Sequence, residues 1–114
     1  IYHCQINASQ IKCFERFVAC LARDYASIRD ANEYAQLIGT SYKTLNKICK
    51  IATNLTAKQL IDAHVVLEAK RRLSIENAQV QQIASSLGFD EVTNFVKYFK
   101  KHTLMTPSQF KKKT

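Results

Sequence analysis

The sequence predicts an all-α protein, and three observations support that fold class. Apolar residues recur every three or four positions along most of the 114-residue chain, which is the spacing of one face of a helix. The chain contains only two Gly and one Pro, whereas an all-β fold needs turn residues every few positions. The length suits one domain, or two very small ones that share a core. A content of 46% hydrophobic and 23% charged residues is that of a globular protein.

The first two helices are predicted by apolar spacing and by the residue that ends the second of them. A helix near residues 8–27 carries an apolar stripe formed by Ile11, Phe14, Val18, Leu21, Tyr25 and Ile28. A short helix at 32–38 is expected to stop at Gly39, because glycine adopts the left-handed backbone conformation that commonly ends a helix.

A third helix and a long fourth helix follow, each preceded by a hydroxyl residue that can cap its first turn. Ser41 caps a helix that runs to about residue 52, with a predicted inner face of Leu45, Ile48, Cys49 and Ala52. Asn54 fits the next turn, because asparagine tolerates the left-handed conformation. Thr56 caps a helix that runs to about Leu73 without Gly or Pro, with Leu60, Val66 and Leu67 predicted to face inward.

The second half of the chain predicts three more helices. One near 79–87 ends at Gly88 and has an apolar face of Val80, Ile83, Ala84 and Leu87. Asp90 and Glu91 are candidate caps for a helix over about 91–102, which is predicted to bury Phe95, Tyr98 and Phe99. Thr106-Pro107-Ser108 begins a short last helix, with Pro at the first position, where its missing N–H leaves no bond unmade.

The two halves of the chain indicate an internal duplication. Ala35 and Gly39 match Ala84 and Gly88 at an offset of 49 residues. After the turn the offset is 50, and it pairs Lys47 with Lys97, Lys50 with Lys100, Thr53 with Thr103, Thr56 with Thr106 and Gln59 with Gln109. The sequence therefore predicts two similar helix-turn-helix units, about 9–55 and 74–114, joined by a linker helix at about 56–73 in one domain, 9–114.

In each unit the second helix combines an apolar inner face with a polar and basic outer face. Such a helix can present long side chains to base edges in the DNA major groove while the preceding helix packs behind it. Asparagine suits adenine, and lysine suits guanine acceptors or phosphates. The candidate DNA-binding residues are Lys43, Thr44, Asn46, Lys47 and Lys50 in the first unit and Thr93, Asn94, Lys97, Lys100 and Lys101 in the second. The alternative interpretation is that both are solvated faces of amphipathic helices.

The net charge of +8 lies entirely after residue 40. Before that point four basic residues balance four acidic ones: Lys12, Arg16, Arg23 and Arg29 against Glu15, Asp24, Asp30 and Glu33. This asymmetry favours a polyanion partner, either nucleic acid or an anionic membrane surface. No apolar run approaches the roughly 18 residues of a membrane span, which predicts a soluble domain.

The four cysteines, Cys4, Cys13, Cys20 and Cys49, show no C-x-x-C spacing. Cys13 and Cys20 would lie about two turns apart on one helix, too far for a direct disulfide. We interpret the cysteines as free thiols among apolar neighbours in a reducing cytosol. A zinc site formed by His3, Cys4 and Cys13 is the alternative, and otherwise no cofactor is expected.

Residues 80–111, VQQIASSLGFDEVTNFVKYFKKHTLMTPSQFK, closely resemble the second helix-turn-helix signature of AraC/XylS-type transcription regulators. The resemblance extends over about 12–113 and rests on Ile83-Ala84, Leu87-Gly88-Phe89, Phe95, Phe99-Lys100, Thr106-Pro107 and Phe110. It implies seven helices and two recognition helices that read adjacent major grooves on one face of DNA. By the same resemblance, the base-contact candidates are Lys43, Asn46, Lys47, Thr93, Asn94 and Lys97.

Two departures from the family pattern carry expectations of their own. Leu104 occupies a turn position where the family usually has Gly, so that turn is expected to be strained or rebuilt. Lys47 and Lys97 stand where Arg is common, and lysine cannot make the planar bidentate contact of arginine. We therefore expect softer base discrimination.

The resemblance also implies the partners and the location of the protein. Double-stranded DNA at a promoter or operator is the expected ligand, and RNA polymerase is a further expected partner. An N-terminal effector-binding or dimerisation domain is expected upstream, with residues 1–8 as the end of the interdomain linker, since the chain begins at Ile1 and not at Met. The expected location is the bacterial cytoplasm, in association with the nucleoid and not with a membrane.

Two alternatives to a DNA-binding module belong to other classes of function. A basic helical interaction module, which binds an acidic protein, RNA or an anionic membrane surface, would show no dependence on DNA sequence. An enzyme is not expected, because the sequence has no phosphate loop, no G-x-S-x-G and no Cys–His arrangement that the helices would bring together. His64 and His102 are predicted to be packing or surface groups.

Overall fold

The computed structural model describes residues 7–75 and 78–113, and within these ranges it contains seven α-helices and no strand. The helices are α1 (Ala8–Asp24), α2 (Ala31–Leu37), α3 (Tyr42–Thr53), α4 (Ala57–Ile75), α5 (Val80–Ser86), α6 (Val92–Thr103) and α7 (Pro107–Lys113). The all-α prediction is therefore confirmed. The chain divides into two compact units, one up to His64 and one from Val65, so the division falls within α4.

The start of α1 shows how local sequence sets a helix boundary. The Asn7 side chain accepts a hydrogen bond from the Gln10 backbone N–H at 2.8 Å, and the Gln10 side chain accepts one from the Asn7 N–H at 3.1 Å. This capping box satisfies two N–H groups that the first helical turn leaves without partners. The last two residues of the expected interdomain linker, 1–8, are thus the cap and the first residue of α1. Residues 1–6 lie outside the described part of the chain.

The first unit packs α1 against α2 and α3 through a face that the apolar pattern predicted only in part. Four residues of the predicted stripe are buried or packed against the core: Phe14, Leu21, Tyr25 and Ile28. Phe17 is fully buried although the predicted stripe omits it, whereas Ile11 and Val18 are 42% and 45% exposed. The buried face is centred on Phe17 and Leu21 and includes two half-buried cysteines, Cys13 and Cys20. Ile11 and Val18 lie about 100–120° around the helix from Phe17, so they point away from the core.

Tyr34 of α2 is at the centre of this core. Its ring meets the Phe17 ring edge-on, with 5.6 Å between centroids, and its hydroxyl donates a 2.7 Å hydrogen bond to the Ile28 carbonyl. Burial raises the pKa of Tyr34 to about 12. The ring contributes buried apolar area while the hydroxyl keeps a partner, which is how a large aromatic residue is accommodated inside a small core.

The second unit has a core built from α5, α6 and aromatic side chains. Ile83, Leu87, Phe95 and Phe99 are buried, as predicted, while Tyr98 is only half-buried. The Phe89 ring lies 5.2 Å from that of Phe95 and 5.3 Å from that of Tyr98, and Phe110 of α7 meets Phe99 at 5.7 Å. These contacts hold the outer face of α6 in a defined orientation.

The buried residues of α4 other than Val66 form a stripe that winds around the helix. Each member is buried and lies four positions after the previous one: Ala57, Ile61, Val65, Ala69 and Leu73. A step of four residues turns about 40° beyond a full revolution, so no single face is buried from end to end. Of the three residues predicted to face inward, Val66 is buried, Leu60 is half-buried and Leu67 is 55% exposed.

Corresponding positions of the two units have the same backbone conformation and the same hydrogen bonds. Asn54 and Leu104, 50 residues apart, are the non-glycine residues with positive φ in the described chain, at 71° and 65°. Thr53 donates from its hydroxyl to the Cys49 carbonyl at 2.8 Å, and Thr103 donates to the Phe99 carbonyl at 2.8 Å. The duplication predicted from the sequence is therefore confirmed in geometry.

Candidate nucleic-acid interface

Each unit turns from one helix to the next through a glycine with positive φ. Gly39 has φ +78° and Gly88 has φ +91°. The N–H of the residue after each glycine donates to a carbonyl five positions back, at 2.9 Å from Thr40 and 3.0 Å from Phe89. Both glycines therefore form the left-handed helix end that was predicted. Glycine suits these positions because a residue with a side chain is strained at such a φ.

The two second helices, α3 and α6, begin differently. The Ser41 hydroxyl accepts a 3.1 Å hydrogen bond from the Thr44 N–H and donates to the Thr44 hydroxyl at 2.9 Å, so the predicted cap of α3 is confirmed. Glu91 is at the cap position of α6, and its side chain makes no capping bond. Of the two predicted candidates, Glu91 therefore occupies the cap position without a side-chain bond, and Asp90 lies one residue before it. Glutamate is not among the residues that cap well, since its carboxylate stands one methylene further from the backbone.

Buried side chains fix the inner faces of α3 and α6. Leu45, Ile48, Cys49 and Ala52 are all buried, as predicted, and Phe95 and Phe99 are buried at the matching positions of α6. Burial of these faces leaves the opposite faces in solvent. Among the ten candidate DNA-binding residues, nine are exposed: Lys43, Thr44, Lys47, Lys50, Thr93, Asn94, Lys97, Lys100 and Lys101.

Asn46 is the tenth candidate, and it is only half exposed. Its side-chain oxygen accepts a 2.8 Å hydrogen bond from the Ala57 backbone N–H, the first residue of α4. The amide oxygen that would pair with an adenine amino group is thus engaged within the unit, and its NH₂ group is the part left for an outside partner. Sequence reasoning missed this role, because Ala57 lies eleven residues further along the chain.

Positive charge on α3 and α6 is not balanced by acids on the same helices. The two helices carry six lysines and no Asp or Glu. In the ranges 7–75 and 78–113 the ion pairs join Arg23 to Asp24, Lys58 to Asp62 and Arg71 to Glu68, and none of them engages a lysine of α3 or α6. Both outer faces are therefore positively charged surfaces suited to a polyanion.

A groove in the first unit extends this positive surface beyond α3. It has a volume of about 520 Å³ and lies between α1, the turn at Gly39 and α3. We call it the α1–α3 groove; its polar lining comes from Ser9, Gln10, Lys12, Arg16, Thr40, Thr44 and Lys47. Lys12 and Arg16 were not among the predicted site residues, because residues 1–40 sum to zero charge.

The cysteines and histidines of the described chain do not assemble a metal site. No group of three His, Cys, Asp or Glu residues is placed to hold a metal within that part of the chain, and His3 and Cys4 of the alternative zinc site lie outside it. Cys13, Cys20 and Cys49 are free thiols, and burial raises the pKa of Cys49 to about 12. The His64 ring packs on Tyr25 with 5.1 Å between centroids, and that of His102 packs on Tyr98 at 4.6 Å.

No helix in the described residues is both long enough and apolar enough to cross a membrane.

The comparison with known proteins supports one class of domain. A sequence profile of the helix-turn-helix domain family matches residues 34–113. The raffinose operon transcriptional regulatory protein RafR of Pediococcus pentosaceus is 27% identical over 106 residues, which cover 90% of this chain and 38% of that protein. The chain spans less than half the length of the curated relatives that it matches.

Solved structures with the same fold include DNA-binding domains. An AraC-type transcriptional regulator from Chromobacterium violaceum aligns with a TM-score of 0.76 and 17% identity, over 92% of this chain and 94% of that one. The DNA-binding domain of AdpA, a global transcriptional factor solved in complex with a target DNA, aligns with a TM-score of 0.74 and 19% identity, over 87% of this chain and 88% of that one. At these identities the likeness shows the fold.

Proposed function

The chain belongs to the AraC-type family of helix-turn-helix domains and is a DNA-binding module of a transcription regulator, and we propose that it reads duplex DNA with α3 and α6. The two helices enter adjacent major grooves, whose centres on one face of B-DNA are about 34 Å apart. The observation that carries this proposal is the pair of exposed, lysine-bearing helix faces, each without an acidic residue and each following the same glycine turn.

The repeated positions support a division of labour among the side chains. Lys47 and Lys97 occupy the same position of the two units and are both exposed, so we assign them to base edges. We give the remaining base contacts to Lys43, Thr93 and Asn94. Phosphate contacts, which orient the module without reading sequence, fall to Thr44, Lys50, Lys100 and Lys101.

Asn46 takes a positioning role in this proposal. Its oxygen holds the start of α4 through Ala57, and it reaches DNA only through its NH₂ group. The first unit thereby loses the bidentate adenine contact that the residue type suggests, since such a contact needs both the oxygen and the NH₂ group.

The remainder of the regulator is also part of the proposal. Because the chain spans 38% of RafR, we place an effector-binding or dimerisation domain outside it. The whole protein would act at promoters in the bacterial cytoplasm, with RNA polymerase as a further proposed partner of the DNA-bound state. The alternative, a basic module that binds an acidic protein, RNA or lipid headgroups, has no feature of its own to favour it over duplex DNA.

Selection of bound sequences from a pool of random duplexes tests the proposal directly. We expect an enriched motif with two blocks separated by about one helical turn. Affinity for that motif should fall with salt, with a slope of log K against log salt of about 0.9 for each phosphate neutralised. A selection that enriches no motif, together with a flat salt response, would exclude sequence-specific DNA binding.

A further inference from the structure

The α1–α3 groove collects cations from two helices that are far apart in the sequence. Lys12 and Arg16 lie one helical turn apart on α1, and Lys47 reaches the same groove from α3. The hydroxyl groups of Ser9, Thr40 and Thr44 and the side-chain amide of Gln10 complete its polar lining. Among the described residues no carboxylate lines it, so its three charged side chains are all cations.

The acidic residues that balance the charge of residues 1–40 are committed elsewhere. Asp24 pairs with Arg23 at 2.9 Å, and Asp30 caps α2 by accepting from the Asn32 N–H. Glu33 lies in the first turn of α2, where it complements the helix dipole. Glu15 is exposed on α1 and does not line the groove. The charges of residues 1–40 sum to zero, but in the folded unit Lys12 and Arg16 line the groove and none of these four acids does.

We infer that the α1–α3 groove binds a backbone phosphate of the DNA that flanks the major groove entered by α3, with Lys12 and Arg16 as its principal ligands. This inference rests on the proposed function and names a partner group for a surface that the recognition helices do not include. The α1–α3 groove adjoins the outer face of α3, because Lys47 lines the groove and also belongs to that face. The hydroxyls suit a tetrahedral anion, and the arginine fork can bond two phosphate oxygens at once.

The phosphate assignment predicts a loss of affinity without a change of sequence preference. α1 lies beside α3 and is not the helix that enters the DNA major groove. Its side chains should therefore contact the DNA backbone and not base edges. Removal of Lys12 and Arg16 should therefore weaken the preferred site and random DNA by the same factor. The slope of log K against log salt should fall by about 0.9 if the two residues share one phosphate and about 1.8 if they hold two.

The test compares two double variants with equal net charge. Lys12→Gln with Arg16→Gln removes the groove cations, and Arg23→Gln with Arg71→Gln removes two exposed arginines that already pair with carboxylates. Binding to the selected duplex is measured between 50 and 200 mM salt, and thermal melting confirms that both variants fold. Over that range the advantage of wild type over the groove variant should shrink about 3.5-fold to 12-fold, while the control keeps the wild-type slope.

A second measurement uses the wild-type protein and needs no substitution. Single neutral methylphosphonates are placed in turn along the backbone that flanks the first half of the site. One position should weaken wild-type binding and leave the groove variant unaffected, because the two changes remove the same contact.

Each outcome has a defined meaning. Failure of the wild type to bind any duplex contradicts the proposed function itself. If the wild type binds, equal losses and equal slopes for the two double variants overturn the groove assignment alone, because the effect is then one of net charge. A methylphosphonate scan in which no position distinguishes wild type from the groove variant overturns it as well.

Discussion

The side-chain oxygen of Asn46 accepts a hydrogen bond from the backbone N–H of Ala57 at 2.8 Å, and Val96 and Pro107 stand at the matching positions of the second unit. Ala57 and Pro107 are both buried and are the first residues of α4 and α7. Ala57 carries an N–H that needs an acceptor, whereas proline has none. In the first unit Asn46 therefore supplies an acceptor for the buried N–H, whereas in the second unit Pro107 has no N–H that needs one.

This relationship predicts a coupled pair of substitutions. Asn46→Val should lower the free energy of unfolding by about 1–3 kcal/mol, because it leaves the Ala57 N–H without a partner. Adding Ala57→Pro should recover most of that loss, since the double variant reproduces the pair found in the second unit. Chemical denaturation of the two single variants and the double variant gives the coupling energy. Simple additivity of the two losses would contradict the assignment of Asn46 to this bond.

The left-handed turn at Leu104 predicts a stabilising substitution. Leu104 has φ 65° and is 85% exposed, so its side chain gains little from packing while its backbone is strained. A left-handed leucine costs about 1–2 kcal/mol, so Leu104→Gly should raise the free energy of unfolding by about 1 kcal/mol. Asn54→Gly at the matching position is the control and should change stability less, because asparagine tolerates this conformation. A lower melting temperature for Leu104→Gly would show that exposed Leu104 stabilises the unit in some other way.

Lysines at the centre and at the edge of the proposed interface should differ in how they affect specificity. Lys47→Ala and Lys97→Ala should each cost about 1–3 kcal/mol at the selected site and relax preference at neighbouring base pairs. Lys101→Ala and Lys112→Ala should weaken the selected and random duplexes equally. Competition binding with single-base variants of the site measures both quantities. Equal losses on specific and random DNA for Lys47 and Lys97 would assign them to phosphates.

An insertion in α4 tests whether that helix holds the two units in phase. The site for the insertion is after His64, where the first unit ends, because the contact of His64 with Tyr25 is then kept. One added alanine there moves the second unit by about 1.5 Å and rotates it by roughly 100°. We expect binding to the full site to fail and binding to either half-site to persist, with thermal melting as the folding control. Unchanged affinity for the full site would show that the units are flexibly coupled.

The sequence was sufficient for most features that depend on near neighbours. Ser41 caps α3, Gly39 and Gly88 adopt positive φ, and Pro107 begins α7, all as predicted. The duplication also predicted which positions would correspond, down to the left-handed turn shared by Asn54 and Leu104. Such features follow from a residue's own backbone preferences and from bonds three or four positions away. The exposed set on α3 and α6 followed from the same helical spacing.

Tertiary structure alone decided the features that depend on residues distant in the chain. Which face of α1 is buried was set by contact with α2 and α3, so Phe17 lies in the core and Val18 does not. Asn46 was predicted to contact a base, but its side-chain oxygen accepts a hydrogen bond from the N–H of Ala57, eleven residues later in the chain. Lys12 and Arg16, balanced by nearby acids in the sequence, came to lie with Lys47 because α1 packs beside α3. Helical periodicity determines the direction of a side chain within its own helix, and only the packing of one helix on another determines what it meets there.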